Sequence, residues 1–294
     1  MEGKMQESAA AKRLNIVVPY RDREAHLNAF VPLVRAYFAR DKVDKDIPYR
    51  VLIIEQEKGL PFNRGALKNI GFVIGRDQSD YTCFHDIDYL PVWADYSWSD
   101  RPTAIVWHGA ETRPWSLKYP QRRTGNKLED FFGAVVLTPN ALFQQVNGYA
   151  NTYWGWGWED TDIKRRYQSA GITVTRRKGS FQALDHDHDG YTLNDAMPWL
   201  PATPKTATLV NERHFRERWP TNGITPNQVD DGLTTLAFEI LDRRPVQEGP
   251  VIERPATWEI VTVGLKMKAP DSHAELQRTD VLRSPSLWPN TVTG

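Results

Sequence analysis

The sequence has little of three things: cysteine, net charge and long apolar runs. Its single cysteine, Cys83, excludes an internal disulfide and fits a reducing compartment. The chain has 37 Lys and Arg residues and 37 Asp and Glu residues, so its formal net charge is zero. That balance argues against a broad basic surface for nucleic acid or anionic membranes. The longest apolar runs, such as Leu14–Val18, are far shorter than the roughly 20 residues that span a bilayer, so we expect no integral membrane segment.

Strand-like apolar segments alternate with helix-like segments along the first half of the chain. Such alternation is typical of an α/β fold with a mostly parallel sheet covered by helices. We expect a disordered arm over residues 1–12, one domain over 13–243, and a C-terminal extension over 244–294 that packs on the domain or follows it. Strands are predicted at Leu14–Pro19, Arg50–Glu55, Tyr81–His85, Ala104–Trp107, Phe131–Leu137 and Trp258–Val263. Helices are predicted at Ala25–Arg40, Asn63–Gly75, Pro139–Val146 and Asp160–Ala170.

Two acidic and histidine-containing segments are candidate metal sites. Asp86 and Asp88 follow a predicted strand, and their hard oxygens suit a divalent ion, although the triplet alone is weak evidence and a turn in which Asp supplies local hydrogen bonds is the alternative. In an extended segment His186 and His188 project from the same face, because side-chain direction repeats every two residues. Imidazole with carboxylate suits Mn²⁺ or Zn²⁺ better than Ca²⁺. A solvated acidic loop with two incidental histidines is the alternative.

Arginines and an aromatic residue lie where a nucleotide would bind. Arg21 and Arg23 follow the first predicted strand, and in sheets of this kind ligands bind outside the carboxyl ends of the strands. Phe62 offers a face for a base, with Arg64 beside it. The alternatives are surface charges at a helix start, and a helix capped by Asn63.

Tryptophan is abundant, with 11 residues, and three of them lie in the stretch WGWGWED at Trp154–Asp160. Glycines between the rings make a poor core strand. Flat rings beside two carboxylates favour sugar recognition, since rings cover the apolar faces of sugars and carboxylates bind hydroxyls. Hydrophobic anchoring is the alternative interpretation.

Taken in order, these segments resemble the β-1,4-galactosyltransferase family, glycosyltransferase family 7, over roughly residues 14–243. Within the family, His85 before Asp86 and the paired histidines look most like the branch that galactosylates xylose in the proteoglycan linker. The segments that carry the resemblance are PYRDR at Pro19–Arg23, FNRGALKNIGF at Phe62–Phe72, FHDIDYLP at Phe84–Pro91, FFGAVVL at Phe131–Leu137, NGYANTYWGWGWEDTD at Asn147–Asp162, HDH at His186–His188 and DGLTTLAFEIL at Asp231–Leu241.

The resemblance implies a GT-A type, Rossmann-like fold and an inverting, Mn²⁺-dependent transfer of galactose from UDP-galactose to a sugar hydroxyl, forming a β-1,4 linkage. Asp160 would be the catalytic base, and Mn²⁺ would be held by Asp88, His186 and His188. The acceptor would contact Trp156, Glu159 and Asp160. The donor would contact Pro19, Arg21, Arg23, Phe62, Arg64, Asp86, Ile87, Phe131 and Trp156.

Three residues depart from the family pattern: Gly65, Ala134 in place of a glycine near the donor sugar, and Thr161 in the acidic run after Asp160. The resemblance implies that Phe131 lies beside the C2 substituent of the donor sugar, where an aromatic residue accompanies galactose in the family. The alternatives are a transferase for N-acetylgalactosamine in capsule or glycan assembly, and a non-catalytic sugar-binding module. The family's usual membrane anchor is missing, so we expect a cytoplasmic, bacterial enzyme, or a Golgi enzyme whose anchor has been removed.

Overall fold

The computed structural model describes residues 11–40, 46–106, 131–155, 157–184, 205–220, 230–246 and 257–269. Residues 1–10 of the predicted arm lie outside these ranges. The strands are β1 (Leu14–Tyr20), β2 (Tyr49–Gln56), β3 (Tyr81–His85), β4 (Tyr89–Trp93), β5 (Thr103–Ala104), β6 (Val135–Pro139), β7 (Thr175–Arg176), β8 (Ser180–Ala183), β9 (Phe238–Pro245) and β10 (Thr257–Leu265). The helices are α1 (Glu24–Arg40), α2 (Arg64–Gly75), α3 (Asn140–Gln145), α4 (Glu159–Ser169) and α5 (Lys205–Arg218).

Eight strands form the central sheet, in the order β7-β5-β6-β3-β1-β2-β10-β9. The four middle strands, β3, β1, β2 and β10, run parallel to one another. β6 is antiparallel to β3, and β9 is antiparallel to β10. A second, two-stranded sheet joins β4 to β8. The expected α/β architecture with a mostly parallel central sheet is confirmed.

The core lies on both faces of the sheet, which explains why every residue of β1 is buried. Val18 packs in one cluster with Val34 of α1. Val17 faces the other way and packs in a second cluster with Ile70 of α2. A Cβ on Gly71 would lie 2.3 Å from Cγ1 of Val17, so α2 can approach β1 this closely only because the residue is glycine. This close packing fixes the helix that carries much of the candidate site.

The structure corrects two predicted strands and places a third. The predicted strand Phe131–Leu137 begins only at Val135, because Ala134 has a left-handed backbone with φ 60°. The predicted strand Ala104–Trp107 is observed as Thr103–Ala104, and Trp107 lies outside the described residues. The strand predicted at Trp258–Val263 is confirmed.

That last strand, β10, lies inside the central sheet between β2 and β9. The predicted boundary between residues 243 and 244 therefore falls within β9. The division of the chain into an arm, a domain and an extension stays a prediction. Among the described residues, no helix is both long enough and apolar enough to cross a bilayer.

Candidate active site

The carboxyl ends of β1 and β3 meet at one edge of the sheet, the edge at which α/β sheets bind ligands. β1 continues into Arg21, and β3 continues into the turn Asp86–Asp88. The backbone N–H of Asp86 donates to the carbonyl oxygen of Ala134, at 2.8 Å. The segment before β6 therefore borders the same edge.

A buried histidine supports the Asp86–Asp88 turn. Nδ1 of His85 lies 2.9 Å from the carbonyl oxygen of Asp86, and Nε2 lies 2.9 Å from the hydroxyl of Tyr96. Burial lowers the pKa of His85 to about 4, so the ring is neutral. Because a carbonyl oxygen can only accept, Nδ1 donates to Asp86 and Nε2 accepts from Tyr96. The ring thus fixes the direction in which the chain leaves β3.

Arg64 is the first residue of α2, which is capped by Asn63: the Asn63 side chain accepts a hydrogen bond from the backbone N–H of Ala66, at 2.9 Å. The Arg64 guanidinium contacts three carboxylates. It donates to Oδ2 of Asp86 at 2.5 Å and to Oδ2 of Asp160 at 2.6 Å. It also donates to Oε1 of Glu159.

Lys68 lies one helical turn after Arg64, on the same face of α2. Its ammonium is 3.3 Å from Oδ1 of Asp160 and 3.8 Å from Oδ1 of Asp86. The side chain is only 1% exposed. Among the described residues, Oδ1 of Asp86 has no hydrogen-bond partner, and the Lys68 ammonium is the cation that faces it. Two cations and three carboxylates therefore form one partly buried cluster.

Glu159 and Asp160 occupy the first turn of α4, where the positive end of the helix dipole favours negative charge. The residue before them, Trp158, has φ 78°, which turns the chain sharply into the helix. Glu159 is buried, whereas the Asp160 side chain keeps 14% exposure. Asp160 is therefore the member of this pair that a ligand at the sheet edge reaches more easily.

Opposite pKa shifts separate the two aspartates of the cluster. Burial alone would raise the pKa of the Asp160 carboxyl, but the Arg64 and Lys68 cations outweigh burial and hold that pKa below its ordinary value. For Asp86 burial outweighs the same two cations and raises the pKa to about 6. Asp160 is thus a fully ionised carboxylate at neutral pH.

A glycine allows the Asp160 carboxylate to pack closely beside it. A Cβ on Gly133 would lie 2.3 Å from Oδ2 of Asp160 and 2.9 Å from Cζ of Phe131. Real Cβ atoms do not approach other atoms so closely. Oδ2 of Asp160 and the ring of Phe131 can therefore take up these positions only because residue 133 has no side chain.

Two of the residues predicted to bind the donor, Arg21 and Phe62, contact each other. The guanidinium of Arg21 lies 5.2 Å from the centre of the Phe62 ring and donates to the carbonyl oxygen of Leu60 at 2.8 Å. Pro19 is buried within β1, and Ile87 is buried in the turn after β3. Arg23 is half-buried just before α1.

The predicted metal ligands are described only in part. Asp88 is partly exposed, and its carbonyl oxygen accepts from the N–H of Leu184 at 2.7 Å. His186 and His188 lie outside the described residues, and so does Trp156. Within the described ranges no group of three His, Cys, Asp or Glu side chains could hold a metal ion. The three-residue ligand set stays a prediction, although the described chain runs to within two residues of His186 directly beside Asp88.

The tryptophans of the WGWGWED stretch have different surroundings. Trp154 is 4% exposed and belongs to the core, so anchoring explains this ring. Trp158 is half-buried, with its ring 5.0 Å from that of Phe215 on α5. The side chain of Asn211 donates to the carbonyl oxygens of Trp154 and Gly157, at 3.0 and 3.2 Å. α5 therefore holds both ends of this loop.

Sequence reasoning missed Lys68 and Gly133. Lys68 follows Arg64 by four residues on a predicted helix, which puts the two cations on one face, and that spacing was the available signal. Gly133 lies in a segment predicted as strand, so nothing in the sequence indicated that its missing side chain adjoins Asp160.

Comparison with known proteins places the chain in a family. A family model described as the N-terminal region of glycosyl transferase group 7 matches residues 2–97. A second, described as the N-terminal domain of galactosyltransferase, matches residues 113–188. Together they cover more than half of the chain. The chain belongs to group 7 of the glycosyl transferases.

Among individual relatives, the chain is similar to β-1,4-galactosyltransferase 7. It is 31% identical to the mouse protein over 248 residues, which are 83% of this chain and 66% of the relative. It is 30% identical to the Drosophila melanogaster protein over 187 residues, which are 62% of this chain and 54% of the relative. The chain thus spans between about half and two thirds of these relatives' length.

Solved structures agree with this assignment. The catalytic domain of Drosophila β1,4-galactosyltransferase 7, in complex with xylobiose, superposes with a TM-score of 0.62 at 25% identity, covering 87% of this chain and 95% of that one. Another structure of the Drosophila enzyme, with manganese, UDP-Gal and xylobiose, gives a TM-score of 0.61 at 24% identity. The expected GT-A type fold is confirmed.

Proposed function

We propose that this chain is an inverting galactosyltransferase that moves galactose from UDP-galactose to a hydroxyl of a sugar acceptor and forms a β-1,4 linkage. The observation that carries the proposal is the ionised Asp160 carboxylate. It lies at the start of α4, it is held by Arg64 and Lys68, and its side chain keeps 14% exposure. The family and the names of its members supply the reaction class.

Asp160 would act as the general base. The acceptor hydroxyl must lose its proton as its oxygen attacks the anomeric carbon, and a carboxylate within hydrogen-bond reach accepts that proton. The bond from the anomeric carbon to the diphosphate breaks on the opposite side, which inverts the configuration. Glu159, one residue earlier, would bind the acceptor.

Arginine side chains would bind the donor. Phe62 would offer its ring to the uracil, and Arg21 lies against that ring. Arg64 would lie with Phe62 around the uracil, and charge-assisted bonds with three carboxylates hold its guanidinium in place. Arg21 and Arg23 would contact the nucleotide and its diphosphate. We also expect Pro19, Asp86 and Ile87 to contact the donor. The leaving diphosphate needs positive charge and not an acid, which is why one carboxylate base suffices.

The side-chain types of the three expected metal ligands suit a manganese ion. Asp88 contributes a carboxylate, and the two histidines expected after β8 would add imidazoles, a mixed oxygen and nitrogen set that suits Mn²⁺. The backbone of Leu184 is hydrogen-bonded to the backbone carbonyl of Asp88, so the described chain ends beside Asp88, two residues before His186. When bound, the ion would neutralise charge on the diphosphate.

The acceptor that we propose is a β-xyloside. The Drosophila relative is in complex with xylobiose, which is a xylose disaccharide, and the fold match covers 95% of that catalytic domain. Asp160 and Glu159 on α4 would bind it together with Trp156. A cytoplasmic location, expected from the sequence, stays a prediction.

The test is release of UDP by the purified chain from UDP-galactose or UDP-N-acetylgalactosamine, with and without a panel of sugar acceptors that includes a β-xyloside. We expect release from UDP-galactose that requires both an acceptor and Mn²⁺. Full activity in excess chelator would exclude the metal assignment, and preference for UDP-N-acetylgalactosamine would exclude the donor assignment. Sugar binding without UDP release would identify a binding module.

A further inference from the structure

Lys68 is a buried lysine for which the proposed reaction has so far supplied no role. Its side chain is 1% exposed, and its ammonium lies 4.8 Å from the centre of the Tyr149 ring. Removing an ammonium from water is costly unless opposite charge compensates it. The compensating groups are Asp160 and Asp86, at 3.3 and 3.8 Å.

The two cations of α2 bond to different oxygens of Asp160. Arg64 bonds to Oδ2, and Lys68 bonds to Oδ1. Oδ2 also packs closely against the backbone of Gly133, where a Cβ would lie 2.3 Å from it. Lys68 thus holds one oxygen of the carboxylate, and Arg64 with Gly133 surrounds the other.

Arg64 is not equivalent to Lys68 in this arrangement. Its guanidinium is shared among Asp86, Glu159 and Asp160, whereas the Lys68 ammonium has the shorter of its two carboxylate contacts with Asp160. Arg64 is also expected to bind the donor, which would compete with its bond to Oδ2. The contact that does not depend on the donor is the one made by Lys68.

We propose that Lys68 is a positioning residue that holds Asp160 through Oδ1 and so fixes the carboxylate in the orientation in which it accepts the proton of the acceptor hydroxyl. The inference rests on the proposed function, because it assigns Asp160 the role of base. Tyr149, in turn, keeps the ammonium in place through its ring. Positioning of this kind matters for rate, since a small displacement of a reacting group can cost about 10²-fold.

Because Lys68 carries a positive charge, the proposal also predicts how the pH dependence of the reaction changes when Lys68 is replaced. The titratable and charged groups that face Asp160 are Arg64 and Lys68 from α2, Asp86 from the turn after β3, Glu159 from its own helix and Tyr149 from the segment before it. Loss of the Lys68 cation leaves more negative than positive charge around Asp160 and raises its pKa. Since Asp160 must be ionised to accept a proton, the acidic limb of kcat/KM moves to higher pH.

The experiment compares Lys68→Met with Lys68→Arg and with Lys266→Met, which removes a surface lysine paired with Glu239. Lys68→Met should lower kcat by about 10- to 100-fold and shift the acidic limb upward, with KM for the donor nearly unchanged. Lys68→Arg keeps the charge and should recover the pH profile in part. Lys266→Met should behave as the wild type.

A second measurement keeps this test separate from the proposed function and from misfolding. The Asp160 carboxyl is titrated by ¹³C NMR in the wild type and in Lys68→Met, with Asp160→Asn to assign the signal and thermal unfolding to show that each variant is folded. A higher pKa in Lys68→Met supports the role of Lys68 even if the wild type transfers no galactose. An unchanged pKa, or a loss confined to KM for the donor, overturns it.

Discussion

Two aspartates on α4, only two residues apart, lie in different surroundings. The Asp162 side chain is fully buried and all its contacts are structural: Oδ2 accepts from Arg166 at 2.6 Å, and Oδ1 accepts from Trp219 at 2.8 Å and from Tyr153 at 3.1 Å. Arg218 adds a further contact with Oδ1, at 3.2 Å. Asp160 has two cations and keeps 14% exposure.

The difference shows how a carboxylate becomes available for chemistry. Donors from α4, α5 and the loop before α4 occupy the oxygens of Asp162, so this side chain ties those elements together. Among the residues that the structure describes, the side-chain donors to Asp160 are Arg64 and Lys68 of α2, and its Oδ2 packs against the backbone of Gly133. One aspartate therefore contributes to stability, and the other remains accessible to a ligand.

The largest expected effect comes from Asp160→Asn. The amide has the same size but cannot accept the proton, so turnover should fall by about 10²–10⁴-fold. Donor affinity should persist, because Arg21 and Phe62 are untouched. Turnover is measured from UDP release, and donor affinity by calorimetry. Near-normal turnover would move the role of base to another residue, with Glu159 the next candidate.

The same substitution at Asp162 is the matched control and should affect stability. Asp162→Asn leaves the buried Arg166 without its counter-charge, which typically costs about 3–5 kcal/mol of unfolding free energy. Chemical denaturation at neutral pH measures the loss. A variant as stable as the wild type would show that the network around Asp162 does not hold α4 and α5 together.

The unfolding free energy lost in Asp162→Asn should depend on pH, and the pKa of Asp162 gives the direction of this dependence. Burial would raise the pKa of Asp162, but Arg166 and Arg218 outweigh it and lower the pKa below the ordinary value of 3.8. A carboxyl with a lowered pKa stabilises the fold above its ordinary value and loses this contribution as pH falls through the folded value. The difference in unfolding free energy between wild type and Asp162→Asn should therefore shrink below about pH 3.8. A difference that grows on acidification would contradict the charge argument.

Gly133→Ala tests the close packing of Asp160 against residue 133. Its Cβ would lie 2.3 Å from Oδ2, so the carboxylate must move away from Lys68 or Arg64. We expect turnover to fall by about 10²-fold with a smaller change in stability. Gly264→Ala, whose Cβ would meet the side chains of Glu57 at 3.2 Å and of Glu239 at 3.3 Å, serves as the control. Equal turnover in the two variants would contradict the role given to the position of Asp160.

The smallest expected effect is a change of donor preference in Phe131→Leu. The phenyl ring packs beside Gly133, and from the family resemblance we expect it to fill volume that an acetamido group on the donor sugar would need. Crowding of this kind typically costs about 1–3 kcal/mol, which corresponds to roughly a tenfold to hundredfold preference for UDP-galactose. The leucine variant should accept UDP-N-acetylgalactosamine more readily. The ratio of turnover with the two donors decides this, and an unchanged ratio would exclude Phe131 as the residue that selects the donor.

The sequence predicts the first half of the fold well, for physical reasons. β1, β2 and β3 are buried on both faces and read as apolar runs, and the Asn63 cap marks the start of α2. The strand before α3 was placed too early, because the left-handed backbone of Ala134 leaves no sequence pattern. β9 has almost no buried residues, so it lacks the alternation that identifies a strand.

For the candidate site, the sequence predicts which residues take part in the chemistry. It does not predict which of their side chains contact one another. The motifs identify Arg64, Asp86 and Asp160, and the structure brings all three within hydrogen-bond distance. The contact of Lys68 with Asp160 joins α2 to α4, and local sequence patterns carry no information about such long-range contacts. The positions of His186, His188 and Trp156 stay predictions.

The anomeric configuration of the first product tests the account most directly. The donor is α-linked, and one carboxylate base acting on the acceptor while the diphosphate leaves from the opposite face must give a β-linked galactoside. Proton NMR of the product made from UDP-galactose and a β-xyloside reads this configuration. We predict a β-linked product in the wild type and its absence in Asp160→Asn. An α-linked product, or β-linked product formed equally well without the Asp160 carboxylate, would contradict the assignment of Asp160 as the base.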